Sequence, residues 1–127
     1  MGIPKRSVIR ARVDELIPIA DELFNEHKKQ PNVINYPGDA EDINKRLQEG
    51  PTETEKKMRK FLEGLSEEEV RAVEAVMYGG RGDDLPTIEK AYSYLEQWNK
   101  KDVIRTIMEK TMRLPDYLRK GIERYQL

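Results

Sequence analysis

One segment of this chain carries helix signals at its start, along its length and at its end. Ser66, with Glu69 three residues later, forms a capping box, in which each side chain accepts a hydrogen bond from the other residue's backbone amide. Apolar residues then recur at helical spacing as far as Met77, and Gly79 is the expected stop. The sequence therefore predicts a helix that begins after Ser66, ends at Gly79 and buries one face.

Similar apolar spacing runs through the rest of the chain, and no strand signal of useful length interrupts it. Further helices are predicted at about 7–28, 40–49, 52–63, 84–98, 102–112 and from 115 onward. Pro18 is expected either to kink the first of these or to divide it into two short helices. We expect an all-α protein, a compact bundle of about six helices. A single domain, residues 7–127, is predicted to follow a flexible N-terminal segment, residues 1–6.

Composition excludes several classes of protein. The 127 residues include no cysteine, so disulfides, thiolate catalysis and cysteine-bound metal centres are excluded. No apolar stretch is long enough to span a bilayer and no signal-peptide core follows the N-terminus, so we expect a cytoplasmic protein without membrane contact. The single histidine, His27, stands beside Lys28 at a predicted helix end, where a cation is favourable, and indicates no catalytic role.

Acidic and basic side chains nearly balance in number, but they are unevenly distributed along the sequence. The formal net charge is −1. Residues 100–127 hold eight basic and four acidic side chains, whereas residues 66–96 hold eight acidic and three basic ones. The basic third permits nucleic-acid binding as an alternative function, but solvated helix faces explain such charges equally well and are favoured.

Three of the chain's eight glycines surround one arginine in a short segment between two predicted helices. One interpretation is a small-anion or phosphorylated-metabolite site, in which backbone amides form an anion nest and Arg81 makes a bidentate contact. The other is a helix C-cap whose Arg81 pairs with an acid or with exposed carbonyls. It is favoured because a phosphate loop follows a strand, not a helix. The candidate ligand-binding residues are Tyr78, Gly79, Gly80, Arg81, Gly82 and Asp83.

Asp83 and Asp84 are adjacent acids, a pattern that also occurs in metal sites and in acid–base catalysis. The residues that follow, 85–87, break the ligand spacing of a calcium loop. Capping of the next helix by one aspartate is therefore favoured. The sequence predicts no metal site, no catalytic residue and no cofactor.

The aromatic residues are a further candidate for a binding surface. Spacing places Tyr92 and Trp98 near the buried face of the helix predicted at 84–98, and Tyr94 off that face. Core packing is favoured for this set, which also includes Tyr78 and Tyr117. The alternative is an aromatic-lined groove for a ligand or a partner helix.

Two blocks of the sequence resemble a family of small bacterial proteins of unknown function. The first joins Leu62, Leu65, Ser66, Glu69 and Val73 to the run 77–83, in which the family has a "GRGD" segment after a helix. The second, residues 114–118 with Gly121, is similar to that family's "PxLxDYLxxGL" ending, with Ile122 in place of leucine. The blocks span residues 62–122, and Tyr78 stands where the family often has tryptophan. The resemblance implies an all-helical fold and supplies no activity.

The leading functional hypothesis is a non-enzymatic interaction or regulatory module, because no nucleophile, base and metal set can be assembled from these residues. We expect a homodimer or an unidentified protein partner, contacted through the amphipathic N-terminal helix and the Gly-Arg-Gly segment. Binding of a small anion at 79–84 and binding of nucleic acid through the basic third are the two alternatives, and nucleic acid is the less favoured partner.

Overall fold

The computed structural model describes residues 2–28 and 52–127, and most of this part is helical. No strand occurs among these residues, so the predicted all-α bundle is confirmed. The helix predicted at 40–49 lies outside the described residues. The six helices of the described part are α1 (Arg6–Lys28), α2 (Glu53–Glu63), α3 (Glu67–Arg81), α4 (Ile88–Leu95), α5 (Lys100–Glu109) and α6 (Leu114–Arg124).

Helix α3 lies at the centre of the bundle and contacts α1, α4, α5 and α6. Both bonds of its predicted capping box are present: the Glu69 amide donates to Ser66 Oγ over 3.1 Å, and the Ser66 amide donates to Glu69 Oε1 over 3.0 Å. Every residue from 70 to 77 is buried. The predicted stop at Gly79 was wrong, because α3 continues to Arg81 and is closed by Gly82, whose φ of 96° is left-handed.

Helix α1 is one continuous helix with Pro18 inside it, which settles the alternative that the sequence left open. Its apolar face, which includes Ile9, Leu16 and Leu23, is buried in the core. The start of α1 is held by Arg6, whose Nη1 donates to the backbone oxygen of Tyr125 over 2.7 Å. The apolar face of this helix is therefore used inside the chain, and partner contact through the helix stays a prediction.

The three helices after α3 begin and end at positions that differ from the predicted ones. Thr87 caps α4 through a bond from the Lys90 amide, so the predicted capping by an aspartate was wrong. Asn99 caps α5 in the same way, so α5 begins at Lys100, two residues before the predicted start. Helix α6 begins at Leu114 with proline in its first turn, where a missing amide hydrogen costs nothing.

The part of the chain preceding α1 also joins the bundle, since Ile3 packs against the core. Among residues 2–28 and 52–127, no helix is both long and apolar enough to cross a membrane.

Candidate functional site

Two of the three glycines of the candidate segment serve the contact between α3 and α6. Gly79 and Gly80 lie within α3, and a Cβ atom at Gly80 would overlap the backbone carbonyl of Tyr117 in α6. A Cβ atom at Gly79 would overlap the Tyr125 ring, and one at Gly121 would overlap the carbonyl of Val76. Each glycine therefore lets backbone or ring atoms of one helix approach the other at a distance that alanine does not permit.

Arg81 has an acidic partner two residues away. Its Nε and Nη2 atoms donate to the two carboxylate oxygens of Asp83 over 2.8 Å and 2.6 Å. These bonds hold the pKa of the Arg81 guanidinium above its ordinary value. The guanidinium also stacks on Tyr78, with 4.5 Å between its central carbon and the ring centroid. This geometry corresponds to the predicted C-cap in which Arg81 pairs with an acid.

The backbone of the same segment is also hydrogen-bonded within the chain. The amides of Gly82 and Asp83 donate to carbonyls of the last turn of α3. Arg124 Nη1 donates to the carbonyl oxygens of Gly79 and Asp83, and the Tyr125 hydroxyl donates to that of Leu85. An anion bound here would have to displace Asp83 from Arg81. The six residues stay a predicted ligand site, but Arg81, Asp83 and several backbone groups of the segment already have partners.

Other candidate groups of the sequence do not converge in the described residues. Asp84 is exposed, and no group of three or more His, Asp or Glu side chains that could hold a metal ion occurs in residues 2–28 and 52–127. His27 is the penultimate residue of α1, and its side chain lies outside the described part.

A buried arginine that the sequence did not single out fixes the end of α4. Arg71 in α3 donates through Nε to the carbonyl of Leu95 over 3.3 Å, and through Nη2 to that of Trp98 over 3.2 Å. Nη2 also pairs with Glu67 Oε1 over 2.7 Å. The last carbonyls of a helix have no partner inside it. Arg71 therefore supplies a partner for the last carbonyl of α4, in addition to the Trp98 amide, and one for the turn that follows.

Glu74, one turn further along α3, is the second feature that sequence reasoning missed. Only 3% of the residue is exposed, and its Oε2 atom has no hydrogen-bond partner within the described residues. Burial raises the pKa of this carboxyl to about 7, although Tyr78 and Arg71 oppose the rise. The available signal was the surrounding sequence, Val70 to Met77, whose residues other than Arg71 and Glu74 are apolar on all sides of the helix.

The aromatic residues divide into buried and exposed members. Tyr92 is buried and Tyr94 is 52% exposed, as predicted. Trp98 was predicted to lie near the buried face, and that prediction was wrong, because Trp98 is 38% exposed. The reason is that α4 ends at Leu95, so Trp98 lies in the turn before α5. The rings of Tyr94 and Trp98 meet edge to face with centroids 5.4 Å apart, and we call them the aromatic pair.

A groove of about 470 Å³ lies between α2 and α5. Its lining residues are Arg59 and Glu63 from α2 and Lys100, Lys101 and Ile104 from α5, and we call it the basic groove. Lys100 Nζ donates to the carbonyl oxygen of Glu63 over 2.7 Å, which holds the two helices together at this end.

Most other cations of the basic C-terminal third are engaged within the chain. Arg105 pairs with Asp102, Lys120 with Asp116 and Arg119 with Asp21. Arg124 is bonded to carbonyl oxygens near the end of α3. These pairs leave fewer free cations than the sequence count indicates, which weakens the case for a nucleic-acid surface here.

No family model, no curated protein and no solved structure matches this chain. The resemblance carried by the two blocks within residues 62–122 therefore stays a prediction, and so does the bacterial source that it implies.

Proposed function

We propose that this protein is a non-enzymatic interaction module whose contact surface centres on the aromatic pair, Tyr94 and Trp98. The observation that carries the proposal is the exposure of these rings, 52% and 38%, at one end of α4. Tyrosine and tryptophan are enriched among the residues that dominate binding energy at protein interfaces, because they bury large areas at a small entropic cost.

The backbone beneath the aromatic pair is fixed before any partner binds. Arg71 holds the carbonyls of Leu95 and Trp98, and Gln97 Nε2 donates to the carbonyl of Tyr94 over 3.0 Å. A surface that is ordered in the free protein loses little conformational entropy on binding. This supports the pair as a binding surface rather than as part of an adaptable loop.

The alternative functions have less support from the geometry. Anion binding at 79–84 competes with Asp83 for Arg81, and nucleic-acid binding competes with the ion pairs of the basic third. The N-terminal helix also has less support as a contact surface, since its apolar face is buried. Within residues 2–28 and 52–127, the aromatic pair is an exposed apolar surface that these internal contacts leave available.

The test compares two sets of variants against a purified partner. Partners are captured with the tagged chain, produced pure and titrated calorimetrically, and a second copy of the chain is tested by sedimentation. We expect Tyr94→Ala combined with Trp98→Ala to weaken the reconstituted complex by at least about tenfold, as expected for interface hot spots.

Met112→Ala is the matched control, because Met112 is also apolar and is 49% exposed. It should change the affinity by less than about twofold, which is typical of residues outside a hot spot. Equal affinity in both variants, or a strictly monomeric chain that captures nothing, would contradict the proposal. Circular dichroism melts of both variants establish that they are folded.

A further inference from the structure

We propose that the basic groove between α2 and α5 binds a carboxylate-rich peptide segment of a protein partner, next to the aromatic pair. This inference rests on the proposed function, because it names the chemistry of the partner that the aromatic pair contacts. The groove adds a charged subsite to the apolar subsite that the aromatic pair forms.

The charges of the groove favour an anionic occupant. Arg59 and Lys101 are exposed, and neither has an ion-pair partner within the described residues, whereas the other lining cation, Lys100, is bonded to a backbone carbonyl. Three cations face one acid, Glu63, across a volume of about 470 Å³. Carboxylates of a peptide would pair with Arg59 and Lys101 without breaking any described ion pair.

The groove and the aromatic pair lie close together along the chain. Trp98 precedes Lys100 by two residues, and consecutive Cα atoms are 3.8 Å apart, so the two Cα atoms are within about 8 Å of each other. Ile104 contributes an apolar wall to the groove. A partner segment that fits both parts therefore carries an apolar residue for the aromatic pair, followed by acidic residues for the groove.

A peptide fits this surface better than a nucleic acid does. Nucleic-acid affinity comes from many phosphate contacts, whereas the groove offers three cations, which suit a short run of carboxylates. Two other cations of the basic C-terminal third, Arg105 and Lys120, are already paired with acids.

The experiment is a chemical-shift titration of the ¹⁵N-labelled chain with a synthetic peptide in which one leucine precedes a run of glutamates. We expect the largest shifts at the Trp98 indole N–H and at residues 100–101, and no comparable shifts with the same peptide carrying glutamine in place of glutamate. Saturable binding of oligothymidylate at the groove in preference to the acidic peptide would overturn the inference in favour of a nucleic acid. The absence of shifts at millimolar peptide would overturn it outright.

Charge reversal adds a second measurement with a matched control. Arg59→Glu combined with Lys101→Glu should weaken peptide binding by at least about tenfold, whereas Lys90→Glu combined with Arg113→Glu, which changes the net charge equally at exposed sites outside the groove, should change it by less than about twofold. Equal losses in the two variants would contradict a local site. If the partner captured through the aromatic pair binds the groove variant normally, the groove inference fails while the proposed function stands.

Discussion

The contact between α3 and α6 and the contact between α2 and α5 are built from opposite kinds of residue. Glycines at 79, 80 and 121 let the first pair of helices approach until their backbones touch. Arginine and lysine side chains line the second pair, which leaves a groove of about 470 Å³. The conspicuous glycine motif therefore serves helix packing. Ordinary surface cations, in contrast, border the groove that a partner can enter.

Replacing Gly80 should break the close contact and have the largest effect. An alanine Cβ would overlap the backbone carbonyl of Tyr117, which is not at the end of a flexible side chain, so α3 and α6 must separate. We expect Gly80→Ala to lower the free energy of unfolding by about 3 kcal/mol, despite the better helix propensity of alanine. Urea denaturation followed by circular dichroism measures this loss.

Gly82→Ala is the control for the Gly80 prediction. Gly82 has a positive φ of 96° but no atom within 4 Å of an added Cβ, so the only expected cost is backbone strain, about 1 kcal/mol. Equal losses at the two positions would show that the contact between α3 and α6 is not as close as described.

Glu74 is a titratable group on the closely packed central helix α3, whereas the groove is lined by charged groups that stay near solvent. Its pKa rises from 4.5 to about 7 on folding, so the folded state binds the proton more tightly. The contribution of Glu74 to stability is therefore greatest below pH 4.5, falls as the pH rises from 4.5 to 7 and is constant above that range. A shift of this size corresponds to at most about 3 kcal/mol.

Glu74→Gln removes this titration, and the difference between two pH values isolates it. The unfolding free energy of the variant relative to wild type should rise by up to about 3 kcal/mol between pH 5 and pH 8. Chemical denaturation at both pH values gives that difference, in which the intrinsic effect of the glutamine cancels. A difference that does not change with pH would mean that Glu74 is solvated.

The smallest effect is expected at the groove, where two neighbouring lysines have different roles. Lys100 Nζ donates to the carbonyl of Glu63 at the end of α2, whereas Lys101 has no such bond within the described residues. Lys100→Met should cost about 0.5–1 kcal/mol and Lys101→Met close to zero. Thermal melts of the two variants make the comparison, and an equal cost would remove the structural distinction between them.

Local signals predicted the elements of the fold well, and contacts distant in sequence explain the errors. The capping box of α3 involves residues three apart, so it was readable from Ser66 and Glu69. Gly79 looked like a stop signal because glycine usually ends a helix, but here it faces Tyr125, which no local pattern reveals. The shortened α4 has a similar origin, since Arg71 bonds its end from another helix.

The candidate site was less predictable than the fold. The pairing of Arg81 with Asp83 was one of two alternatives, because the sequence shows neighbours but not side-chain directions. The exposure of Trp98 depended on where α4 ends, and the basic groove depends on the packing of α2 against α5. Neither follows from spacing alone.

The bond from Arg6 to the Tyr125 carbonyl links the start of α1 to the residue that follows α6. This link affects how these two segments unfold locally. Arg10, one turn further along α1, donates to the backbone oxygen of Leu127 over 3.1 Å. Terminal helical turns normally fray independently. Here the first two turns of α1 and the residues after α6 share hydrogen bonds, so we expect fraying at one of them to release the other.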